Sequence, residues 1–239
     1  MKNFITEFIN WSNFFEQKDV IDELSKIEKK LNNQYDYLFP NKELIFKVFE
    51  MSPEKIKVII LGQDPYNNRD LSKGFSFAIN NGKKVKIPPS LFNIFKAIKK
   101  SYPEKFSEEK KSFDVSLSNW IDQGVFLLNS ALTIEKDKPG SHCKMWKNFT
   151  NLLIKFIIKK NKDVIFILWG KVAQNIVISA IKETEEEKEN DFNFNKNQIL
   201  SYSHPSPVSG KKFDSCPNFI EANELLKSNN SKIIEWWLI

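Results

Sequence analysis

The apolar positions of the chain alternate between two kinds of pattern. Four short runs are strand-like: KVIIL at 57–61, GVFLLN at 124–129, VIFILWG at 164–170 and QILSYS at 198–203, the first three nearly continuous in apolar residues. The first three read as strands covered on both faces, since they leave no side for water. Elsewhere the apolar residues recur at helical spacing. Two helices are expected in the first 50 residues, the second starting near Asp19 with Ile21, Leu24, Ile27 and Leu31 on one stripe. A helix capped by Ser90 carries Leu91, Ile94, Phe95 and Ile98. Another runs from about Trp146 through Phe149, Leu152, Leu153 and Phe156. One after Gly170 carries Val172, Ala173, Ile176, Val177 and Ala180, and a C-terminal one Phe219, Ala222, Leu225 and Leu226. Strands alternating with helices predict an α/β fold, a three-layer α/β/α sandwich around a central four-stranded, mainly parallel sheet.

No repeat and no Pro/Gly/Ser linker divides the 239 residues, so a single domain spanning 1–239 is expected. The compositional break is KETEEEKENDFNFNKNQ at 182–198, acidic and then Asn-rich, which reads as an exposed insertion. The N-terminus lacks a signal-peptide core, and no run of about 18 apolar residues offers a membrane span. A soluble, cytoplasmic protein is expected. Cys143 and Cys216 are the only cysteines, and His142 and His204 the only histidines. That supply suits neither a disulfide framework nor a zinc site, so no metal is expected. The formal net charge of +6 permits a polyanionic partner without requiring one.

The strand ends carry the chemistry. The first run ends in Gly62-Gln63-Asp64, the second in Asn129, the third in Gly170-Lys171 and the fourth in His204-Pro205-Ser206-Pro207. Ligands of parallel sheets bind at the carboxyl ends of the strands. Taken singly, Asp64 reads as a helix cap, Asn129 as a turn residue, His204 as structural, and Tyr66 or Phe77 as packing. Four polar strand ends on one rim, with the acid/base pair Asp64 and His204 among them, argue for a site.

GQDPY, GFSF, IPPSL, LLNSALT, LWG and HPSPVS follow one another in the order and rough spacing of the family 1 uracil-DNA glycosylases, and the chain resembles that family from about Val58 to Leu226. The resemblance implies an enzyme that flips uracil out of DNA, hydrolyses its N-glycosidic bond and leaves an abasic site, without a metal or organic cofactor. Asp64 then stabilises the oxocarbenium-like sugar and orients water. His204, as a neutral imidazole, donates to uracil O2 as charge develops there. The backbone of Gln63 adds a donor, and the Phe77 ring stacks on the base. The amide of Asn129 reads N3–H and O4, a pattern cytosine reverses. The Tyr66 ring blocks the C5 methyl of thymine, because lacking a methyl contact gives only roughly 10–200-fold discrimination. Pro88, Pro89, Ser90, Gly170, Lys171, Ser206 and Ser209 resemble the loops that hold DNA phosphates. Val208 takes the place of the leucine that wedges into the vacated stack.

Three departures stand out. Asn67 replaces a histidine that helps hold a phosphate, Val208 shortens the wedge, and Lys171 replaces a small serine. The segment PGSHCKMW at 139–146 is also one residue short of the family spacing. The partners implied are uracil-containing DNA, single- or double-stranded, and a proteinaceous glycosylase inhibitor, with the enzyme a monomer. The rival reading is a DNA-binding or replication-scaffold protein that keeps the fold with weak or no catalysis.

Overall fold

The computed structural model describes residues 8–31, 37–68, 71–80, 86–106, 114–187, 194–209 and 213–239. The strands are β1 (Leu38–Phe39), β2 (Val58–Gly62), β3 (Val125–Asn129), β4 (Ile134–Glu135), β5 (Ile165–Trp169) and β6 (Ile199–Tyr202). The helices are α1 (Ser12–Phe15), α2 (Lys18–Leu31), α3 (Pro89–Ser101), α4 (Ser118–Asp122), α5 (Cys143–Lys160), α6 (Lys171–Glu186) and α7 (Asn218–Ser228). The main sheet has the order β3-β2-β5-β6. Every pairing in it is parallel, with Gly62 opposite Asn129 and Ile60 opposite Ile167.

Strand alternation explains why three of the runs are continuously apolar. Ile59, Leu61, Phe126, Leu128, Phe166 and Leu168 face one core with residues of α1, α2, α5 and α6. Val58, Ile60, Val125, Leu127, Ile165 and Ile167 face the other, with α3, α4 and α7. Successive side chains point to opposite faces, so a strand between two helical layers must be apolar at every position. β6 is the edge strand and is only partly covered.

Several expectations needed correction. Ile21 is 44 % exposed, and the buried stripe of α2 is Val20, Leu24, Ile27 and Leu31. Val20 and Ile21 both continue a helical repeat from Leu24, and the stripe takes the phase of Val20. Val172 likewise points to solvent. Ser90 does not cap α3. Pro88 occupies the cap position and Pro89 the first turn, where the fixed φ of proline suits a helix start. The two-residue antiparallel pair β1–β4 is too short to leave a pattern. The acidic stretch 182–198 is largely exposed where described but is tied to the fold at several points. α6 continues through Glu186, and Lys155 and Lys159 of α5 pair with Glu187. Phe194 is buried with its ring against Phe166, and Gln198 is buried too. Residues 188–193 of that stretch lie outside the described residues.

Candidate active site

The carboxyl ends of β2 and β3 are zipped together beyond the sheet. The Ser130 N–H donates to Gly62 O at 2.9 Å, and the Ala131 N–H and Ser130 hydroxyl donate to Gln63 O at 2.9 and 2.7 Å. The two loops therefore leave the sheet as one unit, with Asp64 and Asn129 on the same rim. Gly62 is required at this crossing. A Cβ there would lie 2.6 Å from Asn129 Oδ1 and 2.7 Å from Ser76 Cβ. Above it opens a cleft of about 250 Å³ lined by Gly62, Gln63, Asp64, Pro65, Tyr66, Asn67, Phe75, Phe77, Ser90, Asn129, Pro139 and His204.

Asp64 stands half-buried at the mouth. Burial raises its carboxyl above the usual range, and hydrogen bonds from the Gly140 N–H and the Gln63 side chain pull it back only in part. Asn129 is 5 % exposed, and its side-chain amide makes no hydrogen bond among the described residues. An amide there offers one donor and one acceptor to the cleft that it lines.

Tyr66 and Phe77 form the apolar walls. The Tyr66 hydroxyl donates to Phe77 O at 3.1 Å, and burial pushes its phenol up, so the ring stays neutral. Phe77 sits at φ 62, in the left-handed region that a phenylalanine adopts at a cost of about 1–3 kcal/mol. Ser76 holds it there, its N–H donating to Leu127 O at 3.0 Å and its hydroxyl to Ile60 O at 3.2 Å. The Phe77 ring meets Trp169 edge-on at 5.5 Å.

His204 enters from the end of β6. Its Nδ1 lies 3.0 Å from the Ser206 N–H and accepts from it, so the neutral ring carries its proton on Nε2. Burial lowers the imidazole pKa and keeps it neutral. Gly170, at φ 90, lets the chain pass close to this ring, because a Cβ there would sit 3.2 Å from His204 Cβ. Asn93 of α3 donates to Pro205 O at 2.8 Å and ties the histidine loop to the helix that Pro88, Pro89 and Ser90 open.

The nine other residues marked from sequence divide. Asn67 and Ser90 line the cleft. Outside its lining, Pro88, Gly170 and Ser206 lie on neighbouring loops, Pro89 and Lys171 open α3 and α6, and Ser209 ends the turn Pro207–Ser209. Val208 falls in the turn Pro207–Ser209, and its side chain lies outside the described residues. Sequence reasoning missed Phe75 and Pro139 in the lining and the backbone N–H of Gly140 on Asp64. The one available signal was the Pro-Gly pair of PGSH, a turn placed just before a helix. His142 has a structural post. The Trp146 indole donates to Thr133 Oγ1 at 2.7 Å, and that hydroxyl lies 2.8 Å from His142 Nδ1. Among the described residues no group of three or more His, Cys, Asp or Glu side chains could hold a metal ion.

The geometry defines a class: a parallel α/β/α protein whose strand ends close a small cleft around one carboxylate, one neutral imidazole, one buried amide and two rings. A family model described as the uracil DNA glycosylase superfamily matches residues 49–227. The uracil-DNA glycosylase of Francisella philomiragia is 37% identical over 237 residues, covering 96% of this chain and 100% of that protein. The crystal structure of mimivirus uracil-DNA glycosylase matches with a TM-score of 0.75 at 29% identity, covering 95% of this chain and 86% of that one. A variant of the mimivirus enzyme in complex with UGI matches with a TM-score of 0.74 at 30% identity, covering 95% and 87%. The chain belongs to the uracil DNA glycosylase superfamily.

Proposed function

We infer that the protein is a uracil-DNA glycosylase, which takes uracil out of the DNA stack, hydrolyses its N-glycosidic bond and leaves an abasic site. The observation that carries the residue assignment is convergence: Gln63, Asp64, Tyr66, Phe77, Asn129 and His204 all border one cleft of about 250 Å³. In this reading Asn129 receives the N3–H and O4 edge of the flipped base. Phe77 stacks on its face, and the Tyr66 ring occupies the place a thymine methyl would need. The Nε2–H of His204 donates to O2, where negative charge grows as the bond breaks. A neutral donor suits this step, since it needs no proton transfer to stabilise the leaving anion. Asp64, ionised, stabilises the developing sugar cation and orients the water that completes hydrolysis.

Extrusion costs a few kcal/mol of unstacking, which phosphate contacts must offset. Ser90, Gly170-Lys171, Ser206 and Ser209 are assigned to that grip, and the net charge of +6 favours it. Val208 is assigned as the wedge. The protein acts as a cytoplasmic, single-domain monomer, and a protein inhibitor of the UGI kind, as bound by the mimivirus relative, is assigned to the same DNA groove. No helix among the described residues is long and apolar enough to cross a membrane.

The test is uracil release from matched single-stranded and duplex oligonucleotides, beside Asp64→Asn and thymine-containing controls. Release that needs Asp64 and spares thymine is expected. DNA binding without base release would instead support a scaffold protein of the same fold.

A further inference from the structure

Asn67 stands where the family carries a histidine, and the structure gives it work of a different kind. Its Oδ1 accepts the Asp137 N–H at 2.8 Å, and its Nδ2 donates to Asp137 Oδ1 at 3.1 Å. Both polar atoms of the amide thus engage one residue 70 positions away. Asp137 sits at φ 60, at the tip of the turn that joins β4 to α5. That turn is closed on itself by the Lys138 N–H on Glu135 O and the Ser141 N–H on Lys138 O, both at 3.1 Å. Three residues beyond Asp137, the Gly140 N–H meets Asp64 Oδ2.

We propose that Asn67 and Asp137 form a positioning pair that clamps the β4–α5 turn onto the Asp64 loop and so fixes the Asp64 carboxylate for catalysis. The two loops are joined at two points, Asp64 to Gly140 and Asn67 to Asp137, with Pro65 stiffening the span between them. The Lys136 N–H on Tyr37 O at 2.9 Å holds the start of the turn, and these two contacts hold its far side against the Asp64 loop. The same turn carries Pro139, which forms part of the cleft wall. A phosphate on Asn67 would have to approach the Asp137 carboxylate, and like charges at that range repel. The pair therefore assigns Asn67 to geometry rather than to the DNA backbone. The proposal rests on the reading of Asp64 as the catalytic carboxylate.

The experiment is single-turnover uracil release from a single-stranded oligonucleotide bearing one uracil, over a range of enzyme concentrations. The variants are Asn67→Ala, Asp137→Ala, their double, Asp137→Asn and Asp64→Asn. Each alanine variant is expected to lower the maximal rate about 5–20-fold, within the range that small misplacements produce. The half-saturating concentration stays within about 2-fold. Asp137→Ala loses less than Asn67→Ala, because the Asp137 N–H still reaches Asn67 Oδ1, and the double is no slower than Asn67→Ala, which already removes both hydrogen bonds. Asp137→Asn keeps a side-chain oxygen for the Asn67 amide, so it restores the rate; melting temperatures confirm that all variants fold. If Asn67→Ala raises the half-saturating concentration while Asp137→Ala changes nothing, Asn67 is a phosphate contact and the proposal is wrong. Additive losses in the double, or full rates in both singles, also overturn it. Full activity in Asp64→Asn would overturn the reading of the site itself, a separate failure.

Discussion

Trp11 packs edge-on against Phe14 and Phe49 under the sheet, with ring centroids 5.0 Å apart for Trp11 and Phe49 and 6.1 Å apart for Trp11 and Phe14. Their neighbours Phe149 and Phe156 are buried as well, and the single indole N–H of Trp11 is satisfied by Met51 O at 2.7 Å. The rim above the same sheet is built the other way. Asp64 is partly desolvated, Phe77 is held in a left-handed backbone, and the polar Asn129 side chain is 5 % exposed. Phe126, which touches Trp11 at 5.7 Å, lies on β3 three residues before Asn129. One strand thus joins a region where every local choice favours folding to one where several oppose it. The aromatic layer supplies the stability against which the rim holds its strain, as expected when function occupies strained positions.

The largest effect that tests this contrast is Asp64→Asn. Single-turnover uracil release should fall by about 10³-fold or more, in line with the loss of a group that stabilises transition-state charge. The melting temperature should stay at or above that of the parent. Asparagine keeps an oxygen for the Gly140 N–H and removes a carboxylate that burial disfavours. Trp11→Ala should do the reverse. It should destabilise by about 3–5 kcal/mol in a denaturant titration while leaving the rate per folded molecule unchanged. A Trp11→Ala variant that lost turnover while still folded would show that the two regions are not separable.

Much of this contrast was legible in the sequence, for physical reasons. β2, β3 and β5 announced themselves because burial on both faces forces a continuous apolar run. The rim followed from them, since polar residues that end such runs have few places to go but the carboxyl edge. The phase of α2 was less readable, because Val20 and Ile21 are both apolar and only packing chooses between them. Two features left almost no trace. Gly140 acts through its backbone N–H, which every non-proline residue has, so no side chain marks it. The Asn67–Asp137 pair joins two ordinary loop residues 70 apart, and nothing local distinguishes them from solvated turn positions. The ion pairs of the acidic stretch left no trace for a related reason. Glu187 looks solvated until Lys155 and Lys159 are brought alongside it by the packing of α5 on α6.

Tyr66→Ala sharpens the contrast from the side of specificity. Removing the ring should open room for a C5 methyl and make thymine release detectable from a matched oligonucleotide. Loss of uracil release without any gain on thymine would remove the steric role. The same change deletes the hydrogen bond that helps hold Phe77, so Tyr66→Phe separates the two effects. It should leave thymine excluded and cost about 0.5–1.5 kcal/mol of stability. Gly62→Ala comes next. Its Cβ would press on Asn129 Oδ1 and Ser76 Cβ, so it should destabilise by about 1–3 kcal/mol and weaken uracil binding. A variant with parental affinity for free uracil would show that Asn129 can move aside.

The smallest effect, and the finest division within the rim, is in pH. Asp64 has a folded pKa raised by burial, so the fold holds its proton more tightly than the unfolded chain does. Its contribution to stability is present below the ordinary carboxylate range and is lost as pH rises through the raised value. His204 has a lowered folded pKa, so its contribution is full above the ordinary imidazole value near 6.5 and is lost as pH falls through the folded value. The two groups therefore tilt the stability curve in opposite senses over neighbouring windows. Asp64→Asn should flatten the fall in stability just above the carboxylate range, and His204→Gln the fall just below pH 6.5. The activity profile should follow only one of them on its acid side. In the proposed mechanism turnover needs Asp64 ionised, so uracil release should drop as pH falls through the raised carboxyl pKa. The His204→Gln variant should keep that same acid limb at a lower plateau. An acid limb that disappears with His204 would mean that the imidazole, not the carboxylate, sets the protonation state on which the reaction depends.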